Sequence, residues 1–272
     1  MDRRLTPFSG RVALDSLRGR LAAAAFTAGE AAAVALPLAD LLSRPDGARD
    51  RQVTLGAALT VVDRQDGWAF VQMARDGYCG WLPEGAIGPA ITATHWVASP
   101  ASHAYGAPKV QAPDRFALPM GARLTVTATH GTFAATQAGF VPLPHLRPID
   151  QWFNDPAEVA LMFLGVPYLW GGNSHAGLDC SGLVQLAFHA CGRDCPGDSD
   201  VQQAVGQPLP ENAPLRRNDL IFWKGHVALM LDDARLIHAN GHSMSVAIEA
   251  LDAATNRIAA QGGGPVTARR RP

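Results

Sequence analysis

The sequence predicts an α+β protein: an all-β N-terminal part, then a domain that opens with helices and closes with antiparallel strands. Three observations carry this. Short β runs broken by Asp-Gly turns fill residues 52–87, and a weaker copy of the same order fills 92–148. After residue 150 the rhythm changes to two helical segments followed by a strand meander. The expected divisions are 1–90 (a helical N-terminal segment plus a first small barrel), 91–150 (a second barrel) and 151–272 (the α+β domain).

Residues 1–50 hold Ala-rich stretches and read as partly helical. Five arginines in the first 20 residues, followed by apolar sequence, have the outline of a signal peptide. Asp2 and Asp15 interrupt the basic part, however, and Glu30 and Pro37 interrupt the apolar one, leaving charge-free stretches of only nine residues. A spanning helix needs ~20 apolar residues, so neither an export signal nor a membrane span is expected and the location reads as cytoplasmic.

The β runs are Val53–Leu55, Leu59–Val62, Trp68–Met73 and Cys79–Leu82, punctuated by Asp66-Gly67 and Asp76-Gly77. Arg123–Thr129, Gly131–Phe133 and Ala138–Pro142 repeat the order of strand, turn, strand and closing strand. Pro142, Pro144 and Pro148 read as a linker. Asp155-Pro156-Ala157-Glu158 then marks a helix start, with a capping acid, proline at the first helical position and Glu three residues after the cap. Val159, Met162 and Phe163 give it an apolar face, and Gly165 stops it. A Gly-rich loop over 167–178 leads to a second helix from Cys180 to about Cys191, with Leu183, Val184, Ala187 and Cys191 on one face. Strands are expected at Leu220–Trp223, His226–Leu231, Leu236–Ala239 and Val246–Ile248, and Arg269–Arg271 reads as a solvated tail.

Composition narrows the function. With 272 residues, 47% apolar and 17% charged, the chain buries a sizeable core and is not disordered. A net charge of −1 with no basic block excludes a sequence-independent nucleic-acid binder. Cys79, Cys180, Cys191 and Cys195 read as reduced thiols. Cys191 and Cys195 lack a second Cys/His pair at zinc spacing, so no metal or other cofactor is expected.

Cys180 stands apart from the other thiols because it sits where a Gly-rich loop meets a helix. The positive helix end favours an anion there and is expected to lower the thiol pKa. Cys191 and Cys79 read as packing. Of nine histidines, His226 and His238 each lie in an apolar β run with Asp232-Asp233 as the turn between them. A hairpin with 226 opposite 238 puts both imidazoles on one face, where one serves Cys180 as base and the other orients it. Taken singly, each is as readily an ordinary strand histidine; Asn240 and His242 are alternative third members.

Two resemblances follow from quoted residues. Asp66–Pro83, with Gly67-Trp68 and Gly80-Trp81-Leu82-Pro83, resembles the core of a bacterial SH3-like barrel. Pro167-Tyr168-Leu169-Trp170-Gly171-Gly172, Gly177-Leu178-Asp179-Cys180-Ser181-Gly182, Asp198-Ser199, Asp219–Phe222, Gly225-His226-Val227-Ala228 and Leu236–Ala239 together resemble the NlpC-type family of bacterial cell-wall cysteine peptidases. The resemblance implies a papain-like domain preceded by two SH3-like barrels. It implies hydrolysis of the γ-D-glutamyl–diamino acid bond in murein peptides with a free N-terminal L-alanine; with no export signal or membrane span expected and no basic block, the role reads as wall-peptide recycling with no nucleic-acid or membrane partner.

Residue by residue, Cys180 matches the nucleophile, His226 the base, His238 the orienting residue, and Tyr168 a hydroxyl beside the oxyanion. Asp179, Ser181, Asp198 and Ser199 match positions around the substrate. Trp170 is counted with them, and Tyr78 matches an aromatic that the first barrel is expected to extend over the cleft. Each has a plainer alternative: Tyr168 and Trp170 as loop packing, Asp179 as a helix cap, Ser199 with Gln202 as a capping box, Tyr78 as a barrel aromatic. Gly197 departs from the pattern, where an arginine is usual, with Arg193 a possible substitute; Asn218 replaces a glycine. The competing readings are an amidase or transferase on the same fold, or a catalytically dead wall-peptide binding module.

Overall fold

The computed structural model describes all 272 residues, Met1–Pro272, in two units, Met1–Gln151 and Trp152–Pro272. The first unit is all β. Its opening 50 residues are not helical as expected: they form 3-10 turns at Arg3–Leu5 and Asp15–Leu17 and strands at Val12–Leu14, Ala25–Thr27, Glu30–Val34, Leu38–Leu42 and Arg49–Thr54. Alanine's helical preference loses here for two reasons. Gly29, with φ 81°, and Pro37 bracket a run too short to sustain a helix. Ala32, Ala33 and Val34 are also buried between the strands Ala58–Gln65 and Ile87–Pro89.

The first barrel is a seven-stranded sheet wrapped around Leu41, Val53, Val71, Tyr78 and Leu82. Asp66 and Gly67 both have positive φ, the conformation of a two-residue hairpin turn whose twist matches its strands. Cys79 packs with Phe70 and Trp81 in a smaller cluster. The second barrel has its own core of Val97, Leu118, Leu124, Ala134 and Val141, to which Leu55 is added.

The duplication is visible beyond the hairpins. Cys79–Pro83 leads into a 3-10 turn at Glu84–Ala86 and a short strand at Ile87–Pro89; Gly139–Pro142 leads into Leu143–His145 and Leu146–Pro148 in the same way. Residues 142–148 are therefore not a linker. Leu146–Pro148 pairs with His95–Val97 and closes the second barrel.

In the second unit, α1 (Pro156–Leu161) starts as the sequence indicates: the Asp155 carboxylate accepts from the Ala157 N–H at 3.0 Å. The α2 helix (Cys180–Ala190) is buried on nearly every side rather than along one stripe. Cys191 caps its end half-buried, so it is not the core residue expected. Two further helices are α3 (Ser199–Gln202) and α4 (Leu251–Ala260).

Four strands, Leu220–Trp223, His226–Met230, Arg235–Asn240 and Ser245–Ala250, form an antiparallel meander. Helix α2 packs on the His226 and His238 strands. Leu251, Ala254 and Ile258 of α4 cover Trp223, Ala228, Met230 and Leu236. The strand Ala268–Arg271 pairs with Leu220–Trp223, so Arg269–Arg271 is an internal strand and not a solvated tail. Its Arg271 guanidinium meets the Asp219 carboxylate at 2.7 and 2.8 Å, and Asp219 is only 1% exposed. A buried carboxylate needs such a partner. No helix is long and apolar enough to cross a membrane.

Candidate active site

Cys180 is the first residue of α2 and Asp179 is its cap. One Asp179 oxygen accepts from the Gly182 N–H at 2.7 Å and the Ser181 hydroxyl at 3.1 Å; the other accepts from the Gly171 N–H at 2.8 Å. A single carboxylate thus ties the Gly-rich loop to the helix start. The glycines follow from close approach: a Cβ on Gly172 meets the Gly177 carbonyl oxygen at 2.4 Å, and one on Gly182 meets the Gly172 carbonyl oxygen at 2.3 Å.

The Cys180 sulfur is buried at 7% exposure and within reach of the Val227 N–H, next to His226. Burial, and then the Asp179 carboxylate, push its thiol up to about 12, although the N–H groups of Val227, Ser181 and Cys180 favour the thiolate. The expected lowering by the helix end is overturned because burial first, and then the Asp179 carboxylate at the cap, outweigh it. Burial, with His238 and Arg257 adding to it against Glu249, pushes His226 down to about 3. Both groups are thereby held in their neutral forms at rest, a thiol at Cys180 and an imidazole at His226.

The histidines lie on one sheet face but not directly opposite. The observed register pairs Leu229 with Ile237; continued one residue, it sets Ala228 across from His238, so His226 meets His238 diagonally. His226 Nε2 and His238 Nδ1 are 2.8 Å apart. Asn240 and His242 do not take that place: the Asn240 side-chain oxygen instead accepts from the N–H groups of His242 and Ser243 and holds the turn. Sequence reasoning missed what lies beyond His238. Its Nε2 is 2.6 Å from Glu249 Oε2, which also accepts from Arg257 Nη2 at 2.5 Å. The available signal was parity: Ala247 pairs with His238, so Glu249, two residues on, shares its face.

Tyr168 is half-buried, with its N–H donating to the Met244 carbonyl at 2.9 Å. Burial first, then the nearby Cys180 and Asp179, push its hydroxyl up to about 12, which keeps it a donor. Ser181 is buried with its hydroxyl on Asp179. Trp170 is 68% exposed. Asp198 stands before α3 with φ 64°, and its carboxylate adds to the upward push on Asp179.

The Ser199–Gln202 capping box does not form. Asp198 holds the cap position, and the buried Gln202 amide donates to the carbonyls of Ser181 and Pro196, each at 3.0 Å. Arg193 lies beyond Cys191, which caps the far end of α2 from Cys180. Tyr78 belongs to the other unit, 2% exposed in the core of the first barrel, with the Arg51 guanidinium 5.2 Å from its ring centre.

A buried thiol at the start of a helix that packs on an antiparallel sheet carrying two hydrogen-bonded imidazoles has the build of a papain-like cysteine hydrolase domain. The NlpC/P60 family model matches residues 165–258, which contain Cys180, His226, His238, Glu249 and Arg257. The chain thus carries an NlpC/P60 peptidase domain, preceded by an SH3-like region: the model for the bacterial dipeptidyl-peptidase SH3 domain matches residues 41–87. Curated relatives include the gamma-D-glutamyl-L-lysine dipeptidyl-peptidases of Bacillus cereus and Bacillus subtilis. The first is 28% identical over 244 residues, covering 73% of this chain and 69% of the relative. The second is 28% identical over 229 residues, covering 75% and 76%. Dipeptidyl-peptidase 6 of Lysinibacillus sphaericus is 27% identical over 249 residues, covering 79% and 89%. A crystal structure of an NlpC/P60 family protein from Bacillus cereus has the same fold, with TM-score 0.73 and 21% identity, covering 89% of this chain and 99% of that one.

Proposed function

We propose that this protein is a cysteine endopeptidase that hydrolyses the γ-D-glutamyl–diamino acid amide of murein peptides with a free N-terminal L-alanine. The Cys180–His226–His238 constellation carries the reading, and the names of the relatives point to the bond. Cys180 Sγ attacks the γ-glutamyl carbonyl carbon as His226 takes its proton. The oxyanion accepts from the Cys180 N–H and the Tyr168 hydroxyl. The tetrahedral intermediate collapses, His226 protonates the leaving amine, and a thioester remains. Water, deprotonated by His226, then releases the dipeptide.

Asp198 pairs with the substrate ammonium, and Asp179 holds the loop against the helix. Trp170, Ser181 and Ser199 complete the assignment as substrate contacts, whereas Tyr78, 2% exposed in the core of the first barrel, serves as a barrel aromatic. The test is turnover of L-Ala-γ-D-Glu-L-Lys beside its N-acetylated form. The free-amine peptide is expected to be cut and the acetylated one spared, with Cys180→Ala at least about 10³-fold slower. Turnover surviving in Cys180→Ala refutes the nucleophile, and equal cutting of both peptides removes the free-amine requirement.

A further inference from the structure

We infer that Glu249 and Arg257 are positioning residues that fix which nitrogen of each site histidine carries its proton, and so make His226 Nδ1 the base. The inference rests on the reading of His226 as base but reaches two residues beyond it.

The argument starts from the acceptor end. An ionised carboxylate only accepts hydrogen bonds. Glu249 Oε2 lies 2.6 Å from His238 Nε2, so His238 must carry a proton on Nε2; a bare lone pair at that distance faces another lone pair. A neutral imidazole has one N–H, so His238 Nδ1 is left as an acceptor. That nitrogen is 2.8 Å from His226 Nε2, which must therefore be the donor. His226 in turn has its only lone pair on Nδ1. Each proton assignment forces the next, and the order starts at Glu249.

Two features keep the first step fixed. Arg257, from α4, contacts both carboxylate oxygens, Nε with Oε1 at 3.2 Å and Nη2 with Oε2 at 2.5 Å. Burial opposes ionisation of Glu249, but Arg257 and His238 hold its carboxyl below its ordinary value. Burial also lowers both imidazoles, so the one-proton-per-ring condition holds at neutral pH. His238 itself is 1% exposed, so its ring is out of contact with bulk solvent.

A structural role for the Glu249–Arg257 pair, anchoring α4 to the last meander strand, predicts a loss of stability and nothing else. The positioning role predicts a change in proton location, which ¹⁵N-histidine NMR of the full chain reads directly from two-bond correlations, without substrate. In the wild type, His226 and His238 are both expected as Nε2–H tautomers. In Glu249→Leu, His238 is expected to populate both tautomers, with kcat 10- to 100-fold lower and KM within twofold. Glu249→Gln, whose side-chain oxygen still accepts, is expected to restore the tautomer and most of kcat.

An Nδ1–H tautomer for His238 in the wild type overturns the inference, and so does a Glu249→Leu protein with unchanged tautomers and kcat. If Glu249→Leu does not fold, the wild-type spectrum alone decides. If instead the peptide substrate is misassigned, turnover is absent while the tautomer pattern stands, so the two readings fail separately.

Discussion

Replacing Asp179 with asparagine separates two tasks that one carboxylate performs, and the structure fixes the sign of each. Asparagine keeps an oxygen for the Gly182 N–H and the Ser181 hydroxyl, so the helix cap survives; asparagine caps helices as well as aspartate does. Its NH₂ must then point at the Gly171 N–H, now accepted at 2.8 Å, and two donors face each other. An unsatisfied buried N–H costs about 1–3 kcal/mol, so the unfolding free energy is expected to fall by that amount, read as a lower urea midpoint at unchanged slope.

The effect on the sulfur has the opposite sense. Removing the anion that, after burial, most raises the Cys180 thiol lowers its pKa. Alkylation by iodoacetamide, followed by mass spectrometry at pH 8, is expected to be faster in Asp179→Asn than in the wild type although the variant is less stable. A global opening that exposes the thiol speeds alkylation of all four cysteines; the charge effect speeds Cys180 alone. Slower or unchanged alkylation at Cys180 refutes the account of why this thiol is neutral at rest.

Two further outcomes are expected. Gly182→Ala places a Cβ 2.3 Å from the Gly172 carbonyl oxygen and forces the Gly-rich loop off the helix by about 1 Å; thermal melts should show a loss of about 1–3 kcal/mol and steady-state kinetics a kcat lower by about 10²-fold. Acid should destabilise the second unit between about pH 6.5 and about 3. Through that window the unfolded chain takes up a proton on His226 that the folded site refuses, so stability falls as pH drops, by at most about 4–5 kcal/mol. Urea titrations at pH 7 and pH 4 check this, and His226→Gln should flatten the difference.

What was legible in the sequence followed local chemistry. Asp66-Gly67 names its own turn, Asp155-Pro156 its own helix start, and the apolar runs at 226–230 and 235–240 their own strands. Cys180, His226 and His238 could be proposed as a set because each sits in a recognisable block. What failed depended on partners far along the chain. Ala31–Val34 is a strand because neighbours at 58–65 and 87–89 bury it, not because alanine prefers one. Arg269–Arg271 looks solvated until Asp219 is seen across the sheet edge. The thiol shift was misjudged in sign because the capping anion and burial act against the helix end. Glu249 and Arg257 sit in no motif: the first is reached only by strand parity once the register with His238 is known, and the second reaches Glu249 from the helix that follows.

The pairing of Ala268–Arg271 with Leu220–Trp223 also sets a timetable for synthesis. The barrels hold all their strands within the first 151 residues, so they can mature while the ribosome is still making the rest. The hydrolase sheet, by contrast, waits for residue 271, since only then does Asp219 acquire its counter-charge. A nascent chain halted shortly before that point already holds Cys180, His226 and His238, yet lacks the strand that flanks the meander carrying the two imidazoles.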